Sequence, residues 1–182
     1  SYLIDLRPEN EDTISRGNGG PVVEPSRASM QARELRLTLE CDDKQLQDLN
    51  LHCWTSEGVH CFSGNKCECA VDGIEFSENP QSITINVRET VDYHIFVHDA
   101  MISPSRANDN LDISNSGAQV TMSGLELSGG QPTLACPRNH NGAHDLWACF
   151  EIVADSLIVH NELMLRFSDG FRSLWPNAAA SL

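Results

Sequence analysis

The amino-acid sequence predicts an all-β protein: an antiparallel β-sandwich of jelly-roll or immunoglobulin-like two-sheet architecture, disulfide-stapled, with an extended N-terminal arm. Three observations predict it. Several segments alternate apolar and polar side chains, the mark of a strand with one buried face. Gly, Pro, Asn and Asp punctuate these segments at short intervals, and helical patterns are weak. The 7 cysteines scatter among the strand-like segments instead of forming paired CxxC knuckles, which fits a disulfide framework in an oxidising compartment. Two sheets that each bury one alternating face are the economical arrangement.

Residues 1–30 mix charge, Gly and Pro without sustained periodicity and read as an arm, whose opening SYLIDL is apolar enough to dock. ELRLTLEC (34–41) then sets Leu35, Leu37, Leu39 and Cys41 against Glu34, Arg36, Thr38 and Glu40. DLNLHCW and VHCF follow as a hairpin. QSITINV (81–87) and VDYHIFVHD (91–99) alternate again across Arg88-Glu89-Thr90, and a Pro- and Asn-rich loop comes after them at 103–110. AQVTMSGLELS (118–128), LWACFEIV (146–153) and SLIVHNELMLRF (156–167) complete about eight strands. ASMQARELRLTLE admits a helical first turn, and NELMLRF reads either way. No internal repeat is present. At 182 residues the chain suits one domain, 31–170, followed by a tail, 171–182, that Trp175 is expected to pin to the body.

The balance of 12 basic against 26 acidic residues gives a net charge of −14, which repels nucleic acid and anionic membrane surfaces. No apolar run approaches the roughly 18 to 20 residues that span a bilayer. The sequence starts at Ser1 without a signal-like stretch, as expected of a processed, secreted protein. No Asn-x-Ser/Thr acceptor occurs, which disfavours a heavily glycosylated surface protein.

In the hairpin, Ser56-Glu57-Gly58 reads as the loop, with Gly58 where a type I turn plus bulge needs a left-handed residue. Counting outward, Cys53 faces Cys61, His52 faces Phe62 and Trp54 faces His60. Cysteines and histidines therefore occupy opposite faces. One zinc site combining them within the hairpin is disfavoured, because its ligands must converge at about 2.0 to 2.3 Å. A Cys53–Cys61 bridge is geometrically cheap if the pair is of the closer, non-hydrogen-bonded type. Cys136 and Cys149 flank a polar loop and are the next expected pair, and Cys41 is expected with Cys67 or Cys69, although sequence alone does not fix the connectivity. With 7 cysteines, one is left over. No CxxC opens a helix, so redox catalysis is disfavoured.

At this hairpin the sequence resembles the YfaP-like family of secreted β-sandwich domains of unknown function. The residues that carry the likeness are Asp48-Leu49-Asn50-Leu51-His52-Cys53, the turn at 55–58 and Gly64-Asn65, then ENPQSITIN, YHIFVHD and LWACFEI in order. The likeness covers roughly residues 33–155. Asn50 stands where the family has a second Asp, and Cys67 to Cys69 stand where it is Gly-rich. The resemblance implies the fold and secretion and carries no established activity.

Asp48 and Asn50 share the polar face of their strand. With Asn65 and Asp72 they offer an oxygen-rich Ca²⁺ site, set against a plain polar face with turn-capping bonds. Asp109, Asn110 and Asp112 cluster in a loop but lack EF-hand spacing, so turn chemistry accounts for them. His94 and His98 fall on one face, with Tyr93, Ile95 and Val97 on the other, and can join His52 or His60 in a metal or pH-sensitive patch or serve as structural histidines. His140, His144 and Asp145 form another polar cluster, with no nucleophile tied to it. No Gly-x-Ser-x-Gly elbow, His-Glu-x-x-His or phosphate-cradling loop is present.

The expected function is a secreted, non-catalytic structural or adhesion module acting through its surface. Its expected partners are itself or other extracellular proteins and glycans, in a matrix, filament or mineral-associated assembly. The alternatives are a Ca²⁺-dependent or carbohydrate-binding module, and a hydrolase or metal enzyme using His52, His94 and His98.

Overall fold

A computed structural model describes residues 2–5, 33–41, 49–67, 73–99, 113–124, 133–139, 144–154, 156–165 and 175. Among these residues eleven strands run in the order β1 (Tyr2–Asp5), β2 (Arg33–Glu40), β3 (Leu49–Thr55), β4 (His60–Cys61), β5 (Ile74–Glu78), β6 (Gln81–Val87), β7 (Tyr93–Asp99), β8 (Gln119–Ser123), β9 (Thr133–Ala135), β10 (Leu146–Val153) and β11 (Ser156–Met164). One short 3₁₀ turn, Ile113–Asn115, is the helical structure among the described residues. The all-β expectation therefore holds.

All strand pairs are antiparallel. They form a six-stranded sheet, β1-β11-β10-β7-β3-β4, and a five-stranded sheet, β5-β6-β2-β8-β9. A single core joins them. Leu35, Leu37 and Leu39 of β2 and Ile83 and Ile85 of β6 bury their side chains with Leu51 and Cys53 of β3, Tyr93, Ile95 and Val97 of β7, and Trp147 of β10. Burying each of the larger apolar side chains stabilises the fold by about 1.5 to 3 kcal/mol. Tyr93 also places its hydroxyl, which accepts from Arg88 N–H at 3.1 Å and donates to the Asn86 carbonyl at 3.3 Å.

The alternation in β2 is as expected up to Glu40, but Cys41 departs from it. Cys41 lies just past the strand and is exposed, and its thiol donates to the Ser116 carbonyl at 2.9 Å. Strands β5 and β9 and the arm strand β1 are additions to the expected set. In β5, Ile74 and Phe76 are buried and Glu75 and Ser77 exposed, the same period-two logic in a shorter run. Strand β8 stops at Ser123, because Gly124 takes φ +95° and a Cβ there would strike the carbonyl oxygen of Glu34.

Strand β10 contains the irregularity that matters most. Its register against β7 runs Trp147↔Val97 and Ala148↔Phe96, then Phe150↔Ile95 and Glu151↔His94. Cys149 is thus an inserted residue, and Cys149 and Phe150 both reach the core. Alternation reverses there. Glu151, which strict alternation would align with Trp147, faces outward beside His94. On that outer side of the six-stranded sheet a second, smaller cluster gathers Phe96, Leu146, Ala148 and Trp175, with Trp54 and Met164 packed against it.

Candidate functional site

The hairpin forms as the sequence reading requires. Gly58 has φ +88°, its N–H donates to the Thr55 carbonyl at 2.9 Å, and Thr55 N–H donates to the Val59 carbonyl at 2.9 Å. That is a type I turn with a glycine bulge. The register beyond it sets Trp54 against His60 and Cys53 against Cys61, as counted from the sequence. Thr55 and Val59 form a hydrogen-bonded pair, so by alternation Cys53 and Cys61 form one too, the type with the wider side-chain spacing. The bridge expected from the closer type therefore needs extra local twist.

Cys53 and Cys61 are both fully buried. The Cys53 thiol titrates well above its ordinary value, first because it is buried, then because Cys61 and Cys67 lie near. The Cys149 thiol is raised for the same reason, burial first and Cys136 second. Cysteines 53, 61 and 67 thus form one neighbourhood and cysteines 136 and 149 another. Cys69 lies outside the described residues.

The outer face of the same sheet belongs to the histidines. Period two in β3, β4 and β7 places His52, His60, His94 and His98 there, while Tyr93, Ile95 and Val97 point to the core. His52 is 3% exposed, and its ring stacks on Phe62 at 4.9 Å and on Phe96 at 4.8 Å. His52 Nδ1 and His60 Nε2 are 2.9 Å apart. One ring donates and the other accepts, so the accepting ring must be uncharged and the two cannot both carry a proton at the shared position. Burial, then repulsion by His60 and His98, holds His52 well below the usual histidine range, and burial brings His60 down to about 4. His98 stands opposite Asn50, and its ring meets His52 edge-on at 5.8 Å.

Of the four residues expected to offer oxygens to Ca²⁺, Asp48 and Asp72 lie outside the described residues. Asn50 accepts from the Ser63 hydroxyl, and the Asn65 amide donates to the His60 carbonyl. Among the described residues, no group of three or more His, Cys, Asp or Glu side chains is placed to hold a metal ion. His52, His94 and His98 thus share a face without converging on one point. Asp109, Asn110, Asp112 and His140 are outside the described residues. The His144 and Asp145 carbonyls accept from Ile113 N–H and Asp99 N–H, backbone roles that tie β7 to the 3₁₀ turn.

One grouping has no counterpart in the sequence reading. Glu151 stands between His94 Nδ1 and His160 Nε2, each 3.4 Å from one of its carboxylate oxygens. Its signal was masked, because the inserted Cys149 hides the face of Glu151 and His160 is remote in sequence from His94. In comparisons with family models, curated proteins and solved structures, no match is found for this chain.

Proposed function

We propose that the chain is a secreted β-sandwich module, stapled by disulfides, that acts through its surface by assembling with further copies of itself. The observation that carries this reading is the position of β1. Residues 2–5 form the outermost strand of the six-stranded sheet, paired as Tyr2↔Val159, Leu3↔Ile158, Ile4↔Leu157 and Asp5↔Ser156. The next strand in sequence, β2, belongs to the other sheet. The edge of β11 is therefore closed by a strand whose connection to the body is 27 residues long, 6 to 32.

Strand addition at a sheet edge uses backbone hydrogen bonds that any copy of the segment supplies equally well. A connection of that length reaches at most about 90 Å when extended, far enough to serve a neighbouring molecule. Exchange of β1 between copies then links molecules without new contacts. The two cysteine neighbourhoods support the secreted setting, since thiols brought together across strands, four of the five of them buried, are the layout of an oxidised framework. The resemblance to secreted YfaP-like domains agrees with this.

Light scattering across a concentration series tests the assembly, comparing the full chain with a variant lacking residues 1–5. Oligomers that grow with concentration and vanish on deletion are expected. A monomer throughout, or oligomers indifferent to the deletion, would overturn the reading. A non-reducing peptide mass map tests the framework: Cys136–Cys149 is expected, with Cys53 joined to Cys61 or, where twist forbids it, to Cys67.

A further inference from the structure

The Glu151 grouping on the outer sheet face already has an occupant. Trp175 lies 11 positions beyond the last residue of β11, yet its side chain is 1% exposed. Its indole centres 5.3 Å from His94, 5.8 Å from Phe96 and 5.7 Å from His160, edge-on to the last. Below it Glu151 accepts from His160 at 3.4 Å. We propose that His94, Glu151 and His160 form a receptor site for the indole of Trp175, which seats on the sheet at neutral pH and is released in mild acid.

The titratable and charged groups facing this site come from each neighbouring element: His94 from β7, Glu151 from β10, His160 from β11, and Asp92 from the segment ahead of β7. β3 contributes Trp54, opposite His94 and uncharged. Glu151 is held below its ordinary value, first by the His160 bond and then by His94 and Trp175, so it is ionised at neutral pH and able to accept. His94 is held below its ordinary value by burial, against the pull of Glu151 and Asp92, with His160 lowering it further. The indole supplies part of that burial. Proton binding at His94 and seating of the indole therefore oppose each other, and by linkage each weakens the other equally.

The directions agree. A depressed histidine favours the seated form above the ordinary histidine range and loses it as pH falls. A depressed carboxylate does the same further down the scale. Acid thus acts in one sense, toward release, and uncovers Phe96, Leu146 and Ala148.

The test uses the full chain labelled with 5-fluorotryptophan, its three ¹⁹F resonances assigned by the one lost in each of Trp54→Phe, Trp147→Phe and Trp175→Phe. Between about pH 7.5 and about pH 5, the range in which histidines charge, the Trp175 resonance is expected to move to a solvent-exposed position while that of Trp147 stays buried. His94→Gln, uncharged at every pH, is expected to abolish the transition. Three results overturn the proposal: a Trp175 resonance that stays buried throughout, one released only together with Trp147, or an unchanged titration in His94→Gln. The Trp147 resonance reports folding in each variant, so a misfolded variant cannot pass for a released one.

Discussion

Acid should weaken this protein through the burial of His60, beside His52, before its carboxylates are neutralised. In the folded chain His60 titrates at about 4 and in the unfolded chain at its ordinary value of 6.5. The unfolded state therefore takes up a proton first as pH falls. Stability conferred by neutral His60 is complete above 6.5, declines between 6.5 and about 4, and is gone below. Taken whole, that interval corresponds to about 3 kcal/mol. His60 is only partly buried, and solvent screening reduces the effect to about 1 to 2 kcal/mol. His52, more deeply buried and moved the same way, steepens the slope. The assay is urea unfolding of the wild type and His60→Gln under identical redox conditions, at neutral pH and near pH 4.5. Titrating groups remote from His60 are common to both proteins and cancel in the difference, and the part of the His52 shift that His60 causes is removed with it. The wild type should lose about 1 to 2 kcal/mol more than the variant over this range. Parallel losses in the two proteins would refute the reasoning.

Two glycines with left-handed backbones should respond differently to alanine. Gly58 has open space around its missing Cβ, so Gly58→Ala should cost only the conformational penalty, about 1 kcal/mol in thermal unfolding. At Gly124 the new Cβ meets the Glu34 backbone, so Gly124→Ala should cost at least about 2 kcal/mol more and disturb the β2–β8 pairing, visible as lost amide protection. Tyr93→Phe should cost about 1 to 2 kcal/mol in urea unfolding, because it leaves the Arg88 N–H without its hydroxyl acceptor. Replacing both Cys136 and Cys149 by Ala should cost the oxidised protein about 3 kcal/mol and the reduced protein much less, read from paired denaturation curves.

The fold was legible where alternation was regular and long. Leu35, Leu37 and Leu39, and the face division of His94 and His98 from Tyr93, Ile95 and Val97, follow from period two alone. The hairpin register followed from Gly58, because a three-residue loop with one left-handed position leaves a single way to count outward. Strand β9 escaped because three residues carry too little pattern, and β1 because its pairing with β11 is a long-range choice that no local signal encodes. The Glu151 grouping escaped for a sharper reason. A bulge costs one residue and reverses every face beyond it, and LWACFEIV contains no Gly or Pro to announce one.

The two ends of the described chain attach side by side: β1 lies along β11, and Trp175 rests on residues of β7, β10 and β11. A pull applied across those ends would not load the shared core first. It would first draw off a four-residue strand and one indole, both seated on the six-stranded sheet and neither needed to hold the two sheets together. In a material under tension these two attachments would act as sacrificial links that give way, lengthen the molecule and re-form when the load is removed, leaving the core unbroken.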